Sequence, residues 1–284
     1  TSEPQRCAPP TGGPHESPGD ETCGDQTPAP RPGGRSGYPA AMNPAALDLL
    51  LRATLGDDGF VPATIFFGTE REAPAVVVSG ERVIEAWERL RALTEGNGLY
   101  PLVLGTPEDL EELDSSRPDS LGSIASMRDA AARVDLDALI GAAPSASANA
   151  GAWPEDGEPN EGFALPFDPA TDAPFDEIVL ALLPCARSGD VPATLGLVSA
   201  GLPDVATLGA ALARWHDAHG AEIVGVAGAM MELAVERPPQ DRESALALAR
   251  ELSAICPALP ASAGSLSALA ATLLHSGSWF LFWE

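Results

Sequence analysis

The stretch of sequence that decides the fold is the last quarter of the chain, and its main blocks are Arg214-Trp215-His216, Gly220-Ala221-Glu222, Arg237-Pro238-Pro239 and Trp279-Phe280-Leu281-Phe282-Trp283-Glu284. Between these blocks, residues 222–226 and 230–236 are two apolar runs around a short glycine-containing turn, which predicts a β-hairpin. Its second strand alternates, so we expect Met231, Leu233 and Val235 to face the core. We expect Glu232 and Glu236 to face the solvent.

The order of elements after Phe175 is strand, helix, strand, strand, helix, helix, strand. Besides the hairpin, the predicted elements are strands 177–183 and 279–283 and helices 190–197, 204–219, 241–255 and 265–277. Without one helix, this is the βαββαβ order of a ferredoxin-like sandwich. We therefore predict an α+β fold whose C-terminal half, 175–284, is ferredoxin-like with an extra helix.

The chain before this domain divides into three parts by composition. Residues 1–43 are rich in Pro and Gly and poor in large apolar side chains, which predicts a disordered tail, with Met42 as a candidate native start. Residues 44–140 predict a smaller α/β region with helices 44–55, 81–94, 107–113 and 121–140 and strands 64–67, 75–78 and 99–104. Residues 141–174 predict a linker or long loop, with Trp153 and Phe163 packed onto the fold.

The charge of the chain restricts its partners. The sequence has 41 acidic and 16 basic residues, a formal net charge of −25, and every basic residue is Arg. Such a surface is unsuited to nucleic acid or to an anionic membrane. A Walker-type ATP site is excluded because it requires a Lys. The charge favours a basic protein as partner.

The location and the redox state follow from what the sequence lacks. It has neither an apolar run of about 18 residues nor an N-terminal pattern typical of a signal peptide, so we expect a cytoplasmic protein. Its four Cys are too few for a disulfide scaffold. A bridge between Cys185 and Cys256 is an alternative to two buried free thiols, which we expect.

Three residues are candidates for catalysis: His216, Glu222 and Cys256. His216 and His219 share a helix face and Glu222 follows, a pattern that can bind zinc, but no second pair of ligands is visible and we predict no metal and no cofactor. Cys256 with His216 or His275 could form a thiol nucleophile and its base. The alternative, which we favour, is a structural Cys after an amphipathic helix.

The candidates for binding are Arg214, Trp215, His216, Arg237, Trp283 and Glu284. The terminal strand places Trp279, Leu281 and Trp283 on one face, with Phe280 and Phe282 on the other. This pattern predicts a central strand buried on both faces, with Trp215 packed nearby. At a sheet edge, the same aromatic side chains would be exposed and would mark a partner site.

The blocks quoted above, with Ala245-Leu246-Ala247-Leu248-Ala249 and Cys256-Pro257, resemble the family called domain of unknown function 4253 over roughly the last 100 residues. The helix with Trp87 and the segment Gly98-Leu99-Tyr100-Pro101-Leu102 are similar to the region that precedes this domain in the family. The resemblance implies a bacterial, cytoplasmic protein and supplies no activity.

The sequence departs from the family pattern at several positions. Ala258 and Ala229 stand where relatives carry an acid, His219 stands where an aromatic residue is usual, and the chain ends in Phe282-Trp283-Glu284 instead of two Trp and an Asp. If those acids act chemically in relatives, this chain has lost part of that chemistry.

Two functions are consistent with these patterns. The first, which we favour, is a non-enzymatic acidic module that binds a basic protein, as an immunity protein neutralises a basic toxin. The second is a small-molecule hydrolase that uses His216, Glu222 and Cys256. One structural feature distinguishes them. The hydrolase is favoured if one cleft contains Trp215, His216, Glu222, Arg237 and Glu284, and it is disfavoured if these residues are scattered.

Overall fold

The structure is a computed structural model that describes residues 61–67, 71–115, 123–155, 159, 162–197 and 201–283. The predicted tail 1–43, with Met42, and the predicted helix 44–55 lie outside these residues. The described part of the chain has a mixed α/β fold, as the predicted α+β class requires.

A seven-stranded mixed sheet forms the centre of the described fold, in the order β1-β2-β4-β3-β5-β6-β7. Its strands are β1 (Val61–Phe67), β2 (Arg71–Val78), β3 (Tyr100–Val103), β4 (Ile178–Leu183), β5 (Glu222–Ala227), β6 (Met230–Ala234) and β7 (Ser278–Phe282). Only β3 and β5 are parallel neighbours, and the other adjacent pairs are antiparallel.

The helices of the described residues are α1 (Gly80–Thr94), α2 (Pro107–Ser115), α3 (Ile124–Ala131), α4 (Leu136–Ala142), α5 (Pro144–Ser147), α6 (Val191–Leu195), α7 (Val205–His219), α8 (Arg242–Ile255), α9 (Leu259–Ala263) and α10 (Leu266–Leu273). Local sequence fixes their ends. The Asp204 carboxylate accepts the N–H groups of Ala206 and Thr207, both at 3.0 Å, and α7 stops at Gly220, whose φ is +62°.

The ferredoxin-like order predicted for the C-terminal half is not confirmed. In a βαββαβ sandwich, each crossover helix returns the chain to a parallel strand. Here β6 and β7, which flank α8 to α10, are antiparallel neighbours. The strand between β4 and β5 is β3, which comes from the region 44–140. Strands from both predicted regions thus belong to one sheet.

The two faces of the sheet carry separate apolar clusters. The larger cluster packs α7, α8 and α10 against side chains such as Tyr100, Leu183 and Ile223. The smaller cluster packs α1, through Val83, Trp87 and Leu90, against alternate residues of β2 and β4. Both faces of β4 are therefore buried, and all six of its residues are apolar.

Two details of the prediction change in the structure. The single helix expected at 121–140 is two helices, because Asp135 caps a new one and its carboxylate accepts the N–H of Ala138 at 2.9 Å. Within 141–174, α5 is a short helix. Trp153 and Phe163 pack against the two apolar clusters, as expected.

Candidate functional site

His216 and Glu222, two of the predicted catalytic residues, lie close together where α7 passes into β5. His216 Nδ1 is 3.9 Å from Glu222 Oε1. The Glu222 carboxylate is already engaged by Arg91 of α1, whose Nε and Nη2 donate to its two oxygens at 2.7 and 2.5 Å. Both side chains of this pair are less than one-fifth exposed. Glu222 is thus one half of a bidentate ion pair that ties α1 to β5.

Tyr100 lies beside this ion pair. The Arg91 guanidinium stands 5.2 Å from the centre of the Tyr100 ring, and the Tyr100 hydroxyl donates to the carbonyl of Ile223 at 2.9 Å. Burial raises the pKa of Tyr100 well above its usual range. Its hydroxyl therefore stays protonated at neutral pH and acts here as a hydrogen-bond donor.

A cavity of about 340 Å³, which His216 helps to line, lies between α3, α7 and the turn at 187–190. Its walls are mostly apolar, and its polar side chains include those of Arg128, Arg187, Asp190, His216 and Asp217. The volume is within the range of small-molecule sites. His216 thus borders both the cavity and the ion pair of Glu222 with Arg91.

The buried Asp190 carboxylate is the polar centre of this cavity. Arg128 donates to its two oxygens from Nε at 2.9 Å and from Nη2 at 2.6 Å, and Arg187 Nε is 3.5 Å away. The hydrogen bond with Asp190 raises the pKa of Arg128. The carboxylate is therefore neutralised, and its main role is to hold α3 against the turn.

Arg214 and Trp215, predicted as binding residues, are held in the fold. Arg214 contacts Asp137 at 2.6 Å and Glu251 at 3.1 Å. Trp215 is fully buried, its Nε1 donates to Glu251 at 2.8 Å, and its ring meets Trp279 edge-on at 6.4 Å. Its predicted packing near the terminal strand is confirmed.

Arg237 caps the C-terminus of α7. Its Nη2 donates to the carbonyls of His216 and Asp217 at 3.2 and 3.1 Å, and its backbone N–H donates to the carbonyl of His219 at 2.8 Å. Trp283 is buried and its Nε1 donates to the carbonyl of Ile255 at 3.0 Å. Glu284 lies outside the described residues.

The structure therefore brings together only part of the predicted set. His216 and Glu222 meet, and Arg237 reaches the same end of α7 through backbone carbonyls. Trp215 and Trp283 are buried in the core. Among the described residues, no three His, Cys, Asp or Glu side chains are grouped as a metal site requires.

Cys256 is a buried, hydrogen-bonded thiol. Its Sγ donates to the carbonyl of Phe282 at 2.6 Å, and burial raises its pKa to about 11. Burial likewise raises the pKa of Cys185 to about 12. Both thiols are free, so the alternative of a bridge between them is wrong and the expected buried thiols are confirmed. Only the thiolate is a good nucleophile.

Cys185 and Cys256 are expected to resist thiol reagents in the folded protein, because each is buried and almost fully protonated at neutral pH. The measurement is the rate of reaction with a chromogenic disulfide in a Cys7→Ser, Cys23→Ser background. We expect both thiols to react only after denaturant unfolds the chain. Rapid reaction of one thiol in the native protein would contradict this and would favour a nucleophilic Cys256.

Sequence reasoning missed the role of Glu232, which was expected to face the solvent. The side chain is buried, and its carboxylate accepts the N–H of Ala164 at 2.6 Å and of Leu165 at 3.0 Å. Burial raises its pKa. Leu165 also lies over Gly225, where a Cβ atom would come within 2.6 Å of its Cδ1. Glu232 therefore anchors the segment 162–175 to the sheet.

Glu232, Arg91 and Arg128 give no local sequence pattern for these roles. Their partners are 67, 131 and 62 residues away along the chain. Only the alternation of β6 bears on Glu232, and it predicts the solvated face because most carboxylates are exposed.

The fold and these contacts define a mixed α/β protein in which ion pairs join its two halves. Residues 179–284 match the family model described as Domain of unknown function (DUF4253). The resemblance found in the sequence is thus confirmed over roughly the last 100 residues. No curated protein and no solved structure matches the chain.

The matched segment does not contain the whole sheet. It begins inside β4, so β1 to β3 and α1 lie before it. Arg91 and Arg128 belong to this earlier part, whereas Glu222 and Asp190 belong to the matched segment. The two bidentate ion pairs therefore connect the matched domain to the preceding residues.

Proposed function

We propose that this protein is a non-enzymatic acidic module that binds a basic partner protein. The observation that carries the proposal is the state of its candidate catalytic groups. Glu222 is held by two hydrogen bonds from Arg91, and the thiol of Cys256 is buried and donates to a carbonyl. Neither group has the freedom that a base or a nucleophile needs.

The distribution of charge supports a basic partner. The net charge is −25, and several of the Arg residues already pair with carboxylates of the same chain. The helix α2 exposes Glu108, Glu111 and Glu112 and contains no basic residue. An acidic surface steers basic proteins toward it and accelerates their association.

An immunity protein that neutralises a basic toxin in the cytoplasm of a bacterium is the form of this function that we favour. Such a protein needs an acidic surface and no catalytic group. Within the described residues, no helix combines the length and the apolarity needed to cross a membrane.

The test is capture of partners from a native lysate by the immobilised full-length protein. We expect a basic protein to be retained at low salt and released at about 1 M NaCl, where the Debye length is only about 3 Å. His216→Ala should retain the same partner, because the change removes a candidate catalytic group and leaves the acidic side chains in place. Retention of no salt-sensitive partner would contradict the proposal.

A small-molecule hydrolase is the second candidate, and one observation favours it. His216 borders the 340 Å³ cavity and lies 3.9 Å from Glu222. A broad screen of ester and amide substrates tests it, with His216→Ala and Glu222→Ala as variants. Hydrolysis that both variants lose would support this candidate, and unchanged behaviour would exclude it.

A further inference from the structure

The terminal strand β7 lies at an edge of the sheet, which corrects the expectation that it is central. Among the described strands it pairs with β6 alone. Edge strands present unpaired backbone groups, and proteins usually protect them with charged residues, Pro or bulges. The segment 276–283 contains no charged residue and no Pro, and its pairing with β6 is regular.

The backbone of β7 alternates in the direction of its hydrogen bonds. Val235 N–H donates to the carbonyl of Gly277, and Trp283 N–H donates to the carbonyl of Ala229, at 2.9 and 3.0 Å. In a regular antiparallel pair, the odd-numbered residues between them also bond to β6. The even-numbered residues 278, 280 and 282 therefore direct their backbone groups outward.

Two of these outward positions are bonded within the chain itself. At Ser278, the carbonyl accepts from Ser276 Oγ at 2.6 Å and the N–H donates to the same oxygen at 3.4 Å. The carbonyl of Phe282 accepts from Cys256 Sγ at 2.6 Å. Within the described residues, Phe280 has no hydrogen-bond partner on this side for its N–H or its carbonyl. As far as the described residues show, the open part of the edge is centred on Phe280.

Apolar side chains surround this open edge. Phe280 and Phe282 are half-buried, with ring centres 6.0 Å apart, on the face opposite to the buried Trp279 and Leu281. Met230 of β6, which is paired with Phe282 of β7, is 39% exposed. An open edge beside an apolar patch is the arrangement that binds an extended segment by strand addition.

We propose that the β7 edge binds an extended, apolar segment flanked by Arg or Lys in a basic partner protein, which adds to the sheet as one further strand. This inference rests on the proposed function and names its binding site. Charge selects the occupant: a second copy of this chain carries the same formal net charge of −25 and is repelled, whereas a basic partner is attracted. Apolar side chains of the segment would cover Phe280 and Phe282.

The test uses the full-length protein and a labelled peptide of alternating Val and Thr, flanked by two Arg at each end. Phe280→Pro removes the outward N–H and leaves the bonds to β6 intact, since Pro is tolerated where an edge N–H faces solvent. We expect it to weaken peptide binding about tenfold or more, the effect of losing one good contact. Phe280→Val keeps the donor and is the matched control for the backbone.

A second pair of variants tests the charge of the occupant without changing the backbone. Phe280→Arg and Phe280→Glu both lose the ring, and they place charges of opposite sign at the same position. We expect the Arg variant to bind the peptide several-fold more weakly than the Glu variant. Native-like circular dichroism of each variant is the control for folding.

The outcomes distinguish the proposed binding site at β7 from the proposed function of the protein. Loss of binding in Phe280→Pro, with binding retained in Phe280→Val, supports the edge. Equal binding by Phe280→Pro and wild type, no binding of the peptide to wild type, or self-association through β7 would overturn it. If Phe280→Pro still retains the salt-sensitive partner from a lysate, the site is wrong and the proposed function stands.

Discussion

Replacing Arg91 with Met is expected to lower the free energy of unfolding by about 3 kcal/mol, because it leaves the largely buried Glu222 carboxylate without its partner. The side chain of Glu222 is only 18% exposed and accepts both hydrogen bonds from Arg91. Chemical denaturation followed by circular dichroism measures this effect.

Two further variants show whether the loss comes from the unpaired charge. Arg89→Met on the same helix removes an exposed pair with Glu85 and should cost about 0.5 kcal/mol or less. Adding Glu222→Leu to Arg91→Met should restore most of the lost stability, because the buried charge is then gone. Equal losses in Arg89→Met and Arg91→Met would contradict a structural role for this pair.

Replacing Glu232 with Ala is expected to lower the free energy of unfolding by about 2 kcal/mol, since two backbone N–H groups lose a charged acceptor. These are the N–H groups of Ala164 and Leu165. Hydrogen exchange should accelerate at both residues and along 162–175. Glu236→Ala is the matched control on the exposed residue that follows β6, and it should leave exchange in this segment unchanged.

The pH dependence of stability gives a second measure of Glu232. Burial raises its pKa, so the folded state binds the proton more tightly than the unfolded state does. Its contribution to stability is therefore complete below the ordinary carboxyl pKa and falls as pH rises through the raised value. Glu232→Gln should remove this part of the pH slope. An unchanged slope would show that Glu232 ionises normally in the fold.

The local elements of this fold could be predicted because their determinants lie within a few residues. Asp204, Asp241 and Ser265 cap helices through side chains that accept nearby N–H groups, and Gly220 ends α7. The hairpin of β5 and β6 follows from two apolar strands around a glycine turn. These features depend on short-range sterics and hydrogen bonds, which the sequence displays directly.

The order of the strands could not be predicted from the same patterns. The place of β3 between β4 and β5 depends on pairing between strands about 80 and 120 residues apart in the sequence, and hydrophobic periodicity carries no information about such partners. The same limit explains the edge position of β7. Its aromatic residues are consistent with a central strand and with a binding edge alike.

The candidate site was predicted only in part. His216 and Glu222 lie on either side of the short turn that joins α7 to β5, so their proximity follows from the sequence. The engagement of Glu222 by Arg91 does not, because α1 is positioned by long-range packing against the sheet. That contact changes Glu222 from a candidate base into a structural carboxylate.

The salt dependence of partner binding is the most direct test of the central claim that this protein is an acidic binding module. The measurement is the Kd of the purified complex with the partner retained from lysate, from low salt to about 1 M NaCl, for wild type and for Glu222→Gln. We expect Kd to rise steeply with salt, because screening weakens attraction between opposite charges, and wild type and variant to differ little. A Kd independent of salt, or turnover of a bound small molecule that Glu222→Gln abolishes, would contradict the account.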